Sequence, residues 1–278
     1  QMSRFGFIGT GHMGSMLAEA VGKNFPPSEI LLSNRTRAKA EALAQKLGCR
    51  AADNAAAAKE AEYLFLCVKP QTMPGLFSEI SPILRGRVAA NDRFILVTPA
   101  AGLTMAAIEK LCGVPVPVIR IMPNTPRAVG EGLILCAATE RVTKEELSLV
   151  FSALQGTGRV DLTEESGIDA AGIITGCGPA YVFRFMEALA AAGEKLGVSP
   201  DKAKLYAGQT VLGAAELALS SGDSLGSLCD AVCSPGGTTI EGVKALDRGG
   251  MTELVSAAVS ASYRRTLELS RTTSRPAK

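Results

Sequence analysis

The stretch Arg4-Phe5-Gly6-Phe7-Ile8-Gly9-Thr10-Gly11-His12-Met13-Gly14 decides the fold. It indicates an apolar strand that runs into the pattern G-x-G-x-x-G, followed by a helix from Ser15 to Lys23. Gly9 permits a tight turn, Gly11 lets backbone N–H groups approach a pyrophosphate, and Gly14 lets the helix pack close to the strand. Because a helix N-terminus favours phosphate, the residues from Gly9 to Gly14 predict a dinucleotide site. A glycine-rich turn without a ligand is the alternative.

Composition excludes several classes of protein. The 278 residues are 47% hydrophobic, which indicates a well-buried globular chain of one large or two smaller domains. The net charge of +2 gives no support for a nucleic-acid surface. No uncharged apolar run is long enough to span a membrane, and the start lacks a signal-peptide pattern, so we expect a cytoplasmic protein. Seven scattered cysteines without a C-x-x-C pattern predict free thiols.

The single histidine limits the chemistry. His12 lies inside the glycine-rich loop, so a Ser-His-Asp or Cys-His nucleophile and a multi-histidine metal site are both excluded. We therefore expect no metal, and we expect a cofactor to carry the difficult chemistry. In this interpretation His12 flanks the pyrophosphate as a loop residue.

The tip after the second expected strand favours NADPH. Residues 29–33 predict that strand, residues 37–47 predict a helix closed by Gly48, and Asn34, Arg35 and Thr36 lie between them. NAD-binding versions of the fold usually place an acid here for the ribose 2′-hydroxyl. An arginine with hydroxyl and amide neighbours suits a 2′-phosphate instead. A solvated loop arginine is the alternative, and NADH stays possible.

Further strands should end beside the cofactor, because parallel sheets bind ligands at their carboxyl edge. Strands are expected at 63–68, 93–98 and 116–121. The first runs into Lys69-Pro70, and the second into a Pro99–Gly102 segment whose small residues leave room for a flat ring. Asn124 follows the third strand, as a cofactor neighbour or a turn residue. Asp53 and Asn54 indicate the start of a helix that ends at Glu60.

The alternation of strands and helices stops after residue 163. Strands at 132–138 and 159–162 enclose a helix at 143–154, in which Thr143 and Glu146 have capping-box spacing. Beyond them the pattern predicts helices at 168–175, 179–196, 200–221, 224–232, 239–249 and 251–270. We therefore predict a Rossmann-like NAD(P)-binding domain at 1–163 and an all-helical domain at 164–278. Helices with Ala and Gly over more than one face require partners, which favours an interleaved homodimer.

Two stretches of the helical part differ from ordinary helix. Gly176-Cys-Gly-Pro-Ala-Tyr181 indicates a glycine-proline break before a long helix, or simply a helix junction. Cys233-Ser-Pro-Gly-Gly-Thr-Thr-Ile-Glu-Gly242 places two glycines and two threonines at a helix start. Backbone N–H groups flanked by hydroxyls form a natural carboxylate site. A helix capped by Ser234 or Thr238 is the alternative.

These motifs together resemble pyrroline-5-carboxylate reductase over nearly the whole chain. The resemblance is carried by residues 7–14, Cys67-Val-Lys-Pro70, Arg120-Ile-Met-Pro-Asn-Thr-Pro126 with Val129-Gly-Glu-Gly132, Gly178-Pro-Ala-Tyr181 and Ser234-Pro-Gly-Gly-Thr-Thr-Ile240. Cys177, Pro99 and Ala231 depart from the residues that are usual in the family, which leaves details of cofactor affinity open.

The resemblance implies NAD(P)H-dependent reduction of 1-pyrroline-5-carboxylate to L-proline, the last step of proline biosynthesis. It also implies interlocked helical domains of two subunits, a substrate pocket between a nucleotide domain and those helical domains, and higher assemblies of dimers. Thr239 would bind the ring nitrogen as the catalytic hydroxyl, and the carboxylate would be held by Ser234, Gly236, Gly237 and Thr238, with Glu165 on the substrate side. The cofactor would be lined by Asn54, Val68, Lys69, Pro70, Ala100 and Ala101.

Two other functions remain open on the sequence. A β-hydroxyacid dehydrogenase would carry a lysine acid early on the long helix after the glycine motif, but no lysine occurs there before Lys195. A non-catalytic NADPH sensor would have no use for the Ser234–Thr239 stretch.

Overall fold

The computed structural model describes residues 3–273, which form two compact units. One unit comprises the chain up to Gly176 together with the chain from Tyr263, and the other comprises Cys177–Ser262. The expected boundary after residue 163 stays a prediction.

The first unit is built on an eight-stranded sheet. Its strands are β1 Ser3–Ile8, β2 Ile30–Ser33, β3 Arg50–Ala51, β4 Ala61–Leu66, β5 Ile95–Thr98, β6 Val118–Met122, β7 Gly132–Ala138 and β8 Gly158–Leu162. Their order across the sheet is β3-β2-β1-β4-β5-β6-β7-β8. All neighbours are parallel except β6 and β7. The sheet is therefore of the doubly wound Rossmann type, as the sequence predicts.

Helices cover both faces of this sheet. They are α1 His12–Asn24, α2 Arg37–Leu47, α3 Asn54–Glu60, α4 Met73–Ala89, α5 Met105–Cys112, α6 Lys144–Ala153 and α7 Glu165–Gly172. One core packs α1, α2 and α6 against strand residues such as Phe7 and Phe65. The other packs α3, α4, α5 and α7 against residues such as Ile8 and Leu66. Because both faces are buried, the central strands are continuously apolar rather than alternating.

Local signals determine several of the helix ends. Gly48 closes α2 in the left-handed region at φ 69°. The Asp53 side chain accepts a hydrogen bond from the Ala56 N–H and caps α3. At α6, Thr143 and Glu146 form the expected capping box. These three predictions are confirmed.

Other expectations need correction. Helix α1 begins at His12, immediately after its N-cap Gly11, so His12 lies in the first helical turn rather than in a loop. A helix at Met73–Ala89 is not anticipated from the sequence, because Pro74, Gly75, Pro82 and Gly86 obscure its apolar periodicity. The strand expected at 63–68 covers Ala61–Leu66 instead.

The second unit is helical. Its helices are α8 Gly178–Lys195, α9 Pro200–Ser220, α10 Leu225–Val232 and α11 Thr238–Arg248, with the beginning of α12 Met251–Thr273. The helix expected at 168–175 is wrong in its bounds. Helix α7 covers Glu165–Gly172, and a π-helical turn follows at Ile173–Cys177, so the chain stays helical through the expected break. No helix among residues 3–273 combines the length and apolar content required to cross a membrane.

Candidate active site

The glycine-rich loop has the geometry that a pyrophosphate requires. Gly9 has φ 100°, a conformation that favours glycine. A Cβ on Gly14 would lie 1.9 Å from the Gly9 carbonyl oxygen, whereas a Cβ on Gly11 would meet no atom within 4 Å. Two of the glycines are thus required by the fold, and the third leaves open space in front of the α1 N-terminus. An anionic group can approach the backbone N–H groups there.

Hydrogen bonds tie this loop to the tip that follows β2. The Gly9 N–H donates to the Ser33 carbonyl at 2.8 Å. The Thr10 N–H donates to Asn34 Oδ1 at 3.1 Å, and Asn34 Nδ2 donates to the Thr36 carbonyl, also at 3.1 Å. Asn34 therefore fixes the loop and the tip in one arrangement.

A cavity of about 810 Å³ opens between the carboxyl ends of β1 and β4. The strand order reverses at this point, which is where doubly wound sheets bind ligands. It is lined by Ile8, Gly9, Gly11, Asn34, Arg35, Thr36, Lys39, Asn54, Cys67, Val68, Lys69, Gln71, Thr72, Gly75, Leu76 and Glu79. Eight of the expected cofactor residues are among them. Lys39 on the predicted helix α2 was missed. Gly75, Leu76 and Glu79 were also missed, since α4 itself was not anticipated.

Two unpaired cations face this cavity near the α2 N-terminus. Arg35 and Lys39 both line it, and neither has a carboxylate within ion-pair distance in the part of the chain described. Arg37, which lies between them in sequence, donates to Glu41 at 2.7 Å and does not line the cavity. Free positive charge with a nearby hydroxyl at Thr36 fits a phosphate monoester better than a ribose hydroxyl.

A series of hydrogen-bonded polar side chains lines another part of the cavity. Ser33 Oγ donates to Asn54 Oδ1 at 2.6 Å, and Asn54 Nδ2 donates to Glu79 Oε2 at 2.8 Å. The Asn54 amide retains one N–H that can donate to a ligand hydroxyl. The residues present therefore fit a dinucleotide phosphate, and the buried Thr10 Oγ1, which has no partner among residues 3–273, is a further free donor at the loop.

Other expected cofactor residues have structural partners. Asn124 Nδ2 donates to the Thr175 carbonyl at 2.9 Å, and Asn124 Oδ1 accepts from the Leu133 N–H at 2.9 Å. Ala100 is buried, and its N–H donates to Thr98 Oγ1 at 3.2 Å. Ala100, Ala101, Asn124, Pro70, His12, Met13, Gly14 and Thr10 do not line the cavity. Cofactor roles for these residues stay predictions.

The second unit carries a turn with the geometry of an anion-binding site. The Gly237 N–H donates to the Ser234 carbonyl at 2.9 Å, and Gly236 has φ 71°, as in a turn with proline before glycine. Gly237 is the N-cap of α11, and no side chain caps that helix. The capped-helix alternative with Ser234 or Thr238 is therefore not realised. A Cβ on Gly237 would lie 2.3 Å from Ser234 Oγ, so a side chain there would require the Ser234 hydroxyl to turn away.

The hydroxyls beside this turn are available. Ser234, Thr238 and Thr239 are exposed, and α11 begins at Thr238, one residue before the expected start. Neither threonine hydroxyl has a hydrogen-bond partner among the described residues. Free N–H groups at a helix N-terminus with two hydroxyls can hold a carboxylate and one further polar atom.

Glu165 belongs to the first unit and already has partners there. Its Oε1 accepts from the Met105 N–H at 2.6 Å and lies 3.5 Å from an Arg120 guanidinium nitrogen. The arginine is buried, so the carboxylate balances its charge. The expected role of Glu165 on the substrate side stays a prediction.

Two family models and full-length relatives match this chain. The family model for pyrroline-5-carboxylate reductase dimerisation matches residues 165–269, and that for coenzyme F420-dependent NADP oxidoreductases matches residues 4–89. The chain is 34% identical to a pyrroline-5-carboxylate reductase from Corynebacterium melassecola, across 96% of this chain and 99% of that protein.

Two solved structures extend the similarity to the fold. A pyrroline-5-carboxylate reductase from Coxiella burnetii is 34% identical with a TM-score of 0.86, over 97% of this chain and 99% of that chain. The pyrroline carboxylate reductase from Plasmodium falciparum, solved with NADP bound, is 27% identical with a TM-score of 0.81, over 96% of this chain and 98% of that chain.

Proposed function

The chain belongs to the pyrroline-5-carboxylate reductase family, and we propose which of its residues carry that family's reaction. The enzyme reduces 1-pyrroline-5-carboxylate to L-proline, the last step of proline biosynthesis, and uses NAD(P)H. The observation that carries the residue assignment is the Ser234–Gly237 turn. It leaves N–H groups and two threonine hydroxyls at the start of α11 without partners among the described residues.

The cofactor assignment rests on the cavity of the first unit. The α1 N-terminus and Gly9–Gly14 hold the pyrophosphate, with Asn34 fixing the loop. Arg35, Thr36 and Lys39 hold a 2′-phosphate, which favours NADPH over NADH without excluding NADH. Asn54, Val68 and Lys69 line the rest of the nucleotide, and NADPH supplies the hydride for the reduction when bound.

The substrate assignment rests on the chemistry of a cyclic imine. The N–H groups at Gly236–Thr239 and the Ser234 hydroxyl bind the carboxylate, and Thr238 adds a second hydroxyl. Thr239 binds the ring nitrogen, donating to a neutral imine or accepting from an iminium. The hydride adds to the C=N carbon, and the nitrogen, protonated by the substrate's own or a solvent proton, becomes the secondary amine of proline. No histidine acid is needed, because orientation provides much of the rate.

The assembly is a homo-oligomer through the dimerisation region. We extend this to a homodimer or a larger assembly of dimers, which agrees with exposed apolar side chains on the second unit such as Phe183, Leu205 and Leu225. We also propose that the protein has no nucleic-acid partner and that it is located in the cytoplasm. All seven cysteines are free, as is usual in a reducing compartment.

One set of assays separates this function from its alternatives. The purified protein is mixed with NADPH and 1-pyrroline-5-carboxylate, and separately with NADP⁺ and a series of 3-hydroxy acids. Oxidation of NADPH by the imine alone supports the proposal. Reduction of NADP⁺ by a 3-hydroxy acid would make the chain a β-hydroxyacid dehydrogenase, and tight NADPH binding without turnover would make it a sensor.

A further inference from the structure

Three arginines are buried in the first unit, and their charges are compensated differently. Arg87 is 6% exposed, pairs with both carboxylate oxygens of Asp92 and donates to the Ala58 and Ala61 carbonyls. Arg120 is 1% exposed and pairs with Asp169 and Glu165. Arg127 is 7% exposed, and no carboxylate of the described chain lies within ion-pair distance of it.

The surroundings of Arg127 are apolar. Its two terminal nitrogens donate to the thioether sulfurs of Met13 at 3.2 Å and Met16 at 3.3 Å, and its Nε has no partner among residues 3–273. A Cβ on Gly132 would lie 2.6 Å from the Arg127 Cβ, so the neighbouring strand is adapted to this side chain. The guanidinium is therefore held in place rather than free to reach solvent.

Such a charge needs a counter-charge from outside the chain. Thioether sulfur is a weak acceptor, and a guanidinium stays protonated in proteins. Burial lowers the pKa of Arg127, as expected for a cation without a partner. The nearby Cys67 thiol does not balance it, because burial raises the pKa of Cys67 to about 12 and keeps the thiol neutral. An isolated buried charge is strongly unfavourable unless it is paired.

The position of Arg127 indicates where that counter-charge binds. Met13 and Met16 lie in the first turns of α1, and Met13 lies between Gly11 and Gly14 of the glycine-rich motif. The guanidinium thus contacts side chains of the first turns of α1, the helix whose N-terminus we assign to the pyrophosphate. In a low-dielectric interior a unit charge acts across several ångströms with little screening.

We propose that Arg127 is the buried counter-charge for the diphosphate of the bound dinucleotide, acting through the field behind α1 rather than by contact. The proposal rests on the cofactor assignment above. The unpaired charge destabilises the cofactor-free protein, and its attraction to the diphosphate tightens the binding of either dinucleotide. Because NADPH and NADH share the diphosphate, the effect of Arg127 is the same for both.

The test compares Arg127→Met with Arg87→Met in the full-length protein. Methionine matches the apolar neighbours of Arg127. Arg127→Met raises the Tm of the cofactor-free protein by about 2 °C or more, and raises the Kd for NADPH and for NADH by a similar factor, roughly threefold to tenfold. Arg87→Met leaves Asp92 and two carbonyls without their hydrogen-bond donor. It therefore lowers the Tm and leaves both Kd values within about twofold of those of the wild type. Both quantities are measured without substrate, by thermal unfolding and by calorimetric titration.

Arg127→Lys keeps the charge and covers the case in which Arg127→Met does not fold. It retains Kd values within about twofold of those of the wild type. Unchanged Kd values in Arg127→Met, or a loss in Arg127→Lys as large as in Arg127→Met, would overturn the proposal. A loss confined to NADPH would also overturn it, since that result would assign Arg127 to the 2′-phosphate. A wild-type protein that binds neither dinucleotide would instead refute the cofactor assignment.

Discussion

The Thr10 backbone N–H donates a 3.1 Å hydrogen bond to Asn34 Oδ1, and this bond joins the glycine-rich loop to the tip that carries Arg35. The two segments lie 24 residues apart in sequence. We have assigned the first segment to the shared part of a dinucleotide and the second to the 2′-phosphate that distinguishes NADPH from NADH. Asn34 and Arg35, although adjacent, should therefore affect the two cofactors differently.

Replacing Asn34 by alanine removes the acceptor of the Thr10 N–H and loosens the loop. We expect weaker binding of NADPH and NADH alike, by about 1 kcal/mol or roughly fivefold in Kd. Calorimetric titration of both cofactors into Asn34→Ala measures this. A loss for NADPH alone would mean that Asn34 contacts the phosphate directly and does not support the loop.

Replacing Arg35 by alanine removes a charge from the proposed 2′-phosphate site. We expect the Kd for NADPH to rise roughly tenfold to a hundredfold, the range of a charge-assisted hydrogen bond, with the Kd for NADH unchanged. Arg37→Ala is the matched control, because Arg37 is paired with Glu41 and lies outside the cavity. Equal losses for both cofactors in Arg35→Ala would refute the phosphate assignment.

Replacing Thr239 by alanine removes the hydroxyl assigned to the ring nitrogen. Turnover should fall roughly tenfold to a hundredfold, as for loss of a hydrogen bond to a charged group, while the Kd for NADPH stays unchanged. Thr239→Ser restores the hydroxyl and most of the activity. Steady-state kinetics with both variants distinguish this role from a structural one, since unchanged turnover in Thr239→Ala removes Thr239 from the mechanism.

The Arg93–Glu146 pair predicts a pH-dependent part of the stability. Arg93 Nη2 donates to Glu146 Oε2 at 2.8 Å, and this pairing holds the pKa of Glu146 below its usual range. Such a carboxylate stabilises the fold above its unfolded-state pKa of about 4.3, and the contribution disappears as the pH falls through the lower folded-state pKa. Glu146→Gln should therefore lower the free energy of unfolding by about 1 kcal/mol at neutral pH. The value is small because Arg93 is half exposed.

Denaturant unfolding at a series of pH values measures that contribution. The difference between Glu146→Gln and wild type should shrink below about pH 4. Glu145 directly precedes Glu146 in the same helical turn and is exposed, so Glu145→Gln should change the free energy of unfolding little at any pH. A Glu146→Gln deficit that persists unchanged in acid would show that the ion pair is not its source.

Short-range patterns predict much of the first unit. Gly48, Asp53 and the Thr143–Glu146 box each fix a helix end by a rule that involves only a few neighbouring residues. The dinucleotide loop is predictable for the same reason. Helix α4 is not, because its prolines and glycines contradict helix propensity, and tertiary packing of Met73, Leu76 and Phe77 overrides them.

The sequence does not predict the site residues whose positions depend on tertiary packing. Gly75 and Glu79 reach the cavity only because α4 forms, and Gln71 lies in the short turn just before that helix. The isolation of Arg127 depends on which side chains surround it in three dimensions, and no local pattern encodes this. Conversely, the Ser234–Thr239 turn could be predicted, since proline followed by two glycines prescribes its backbone.

The most direct test of the central claim is the stoichiometry of the complete reaction. Purified wild-type protein is incubated with 1-pyrroline-5-carboxylate and NADPH, and both NADPH consumed and L-proline formed are quantified. We predict equimolar NADPH oxidation and proline formation, both greatly reduced in Thr239→Ala. Tight NADPH binding with no proline formed from the imine would contradict the account.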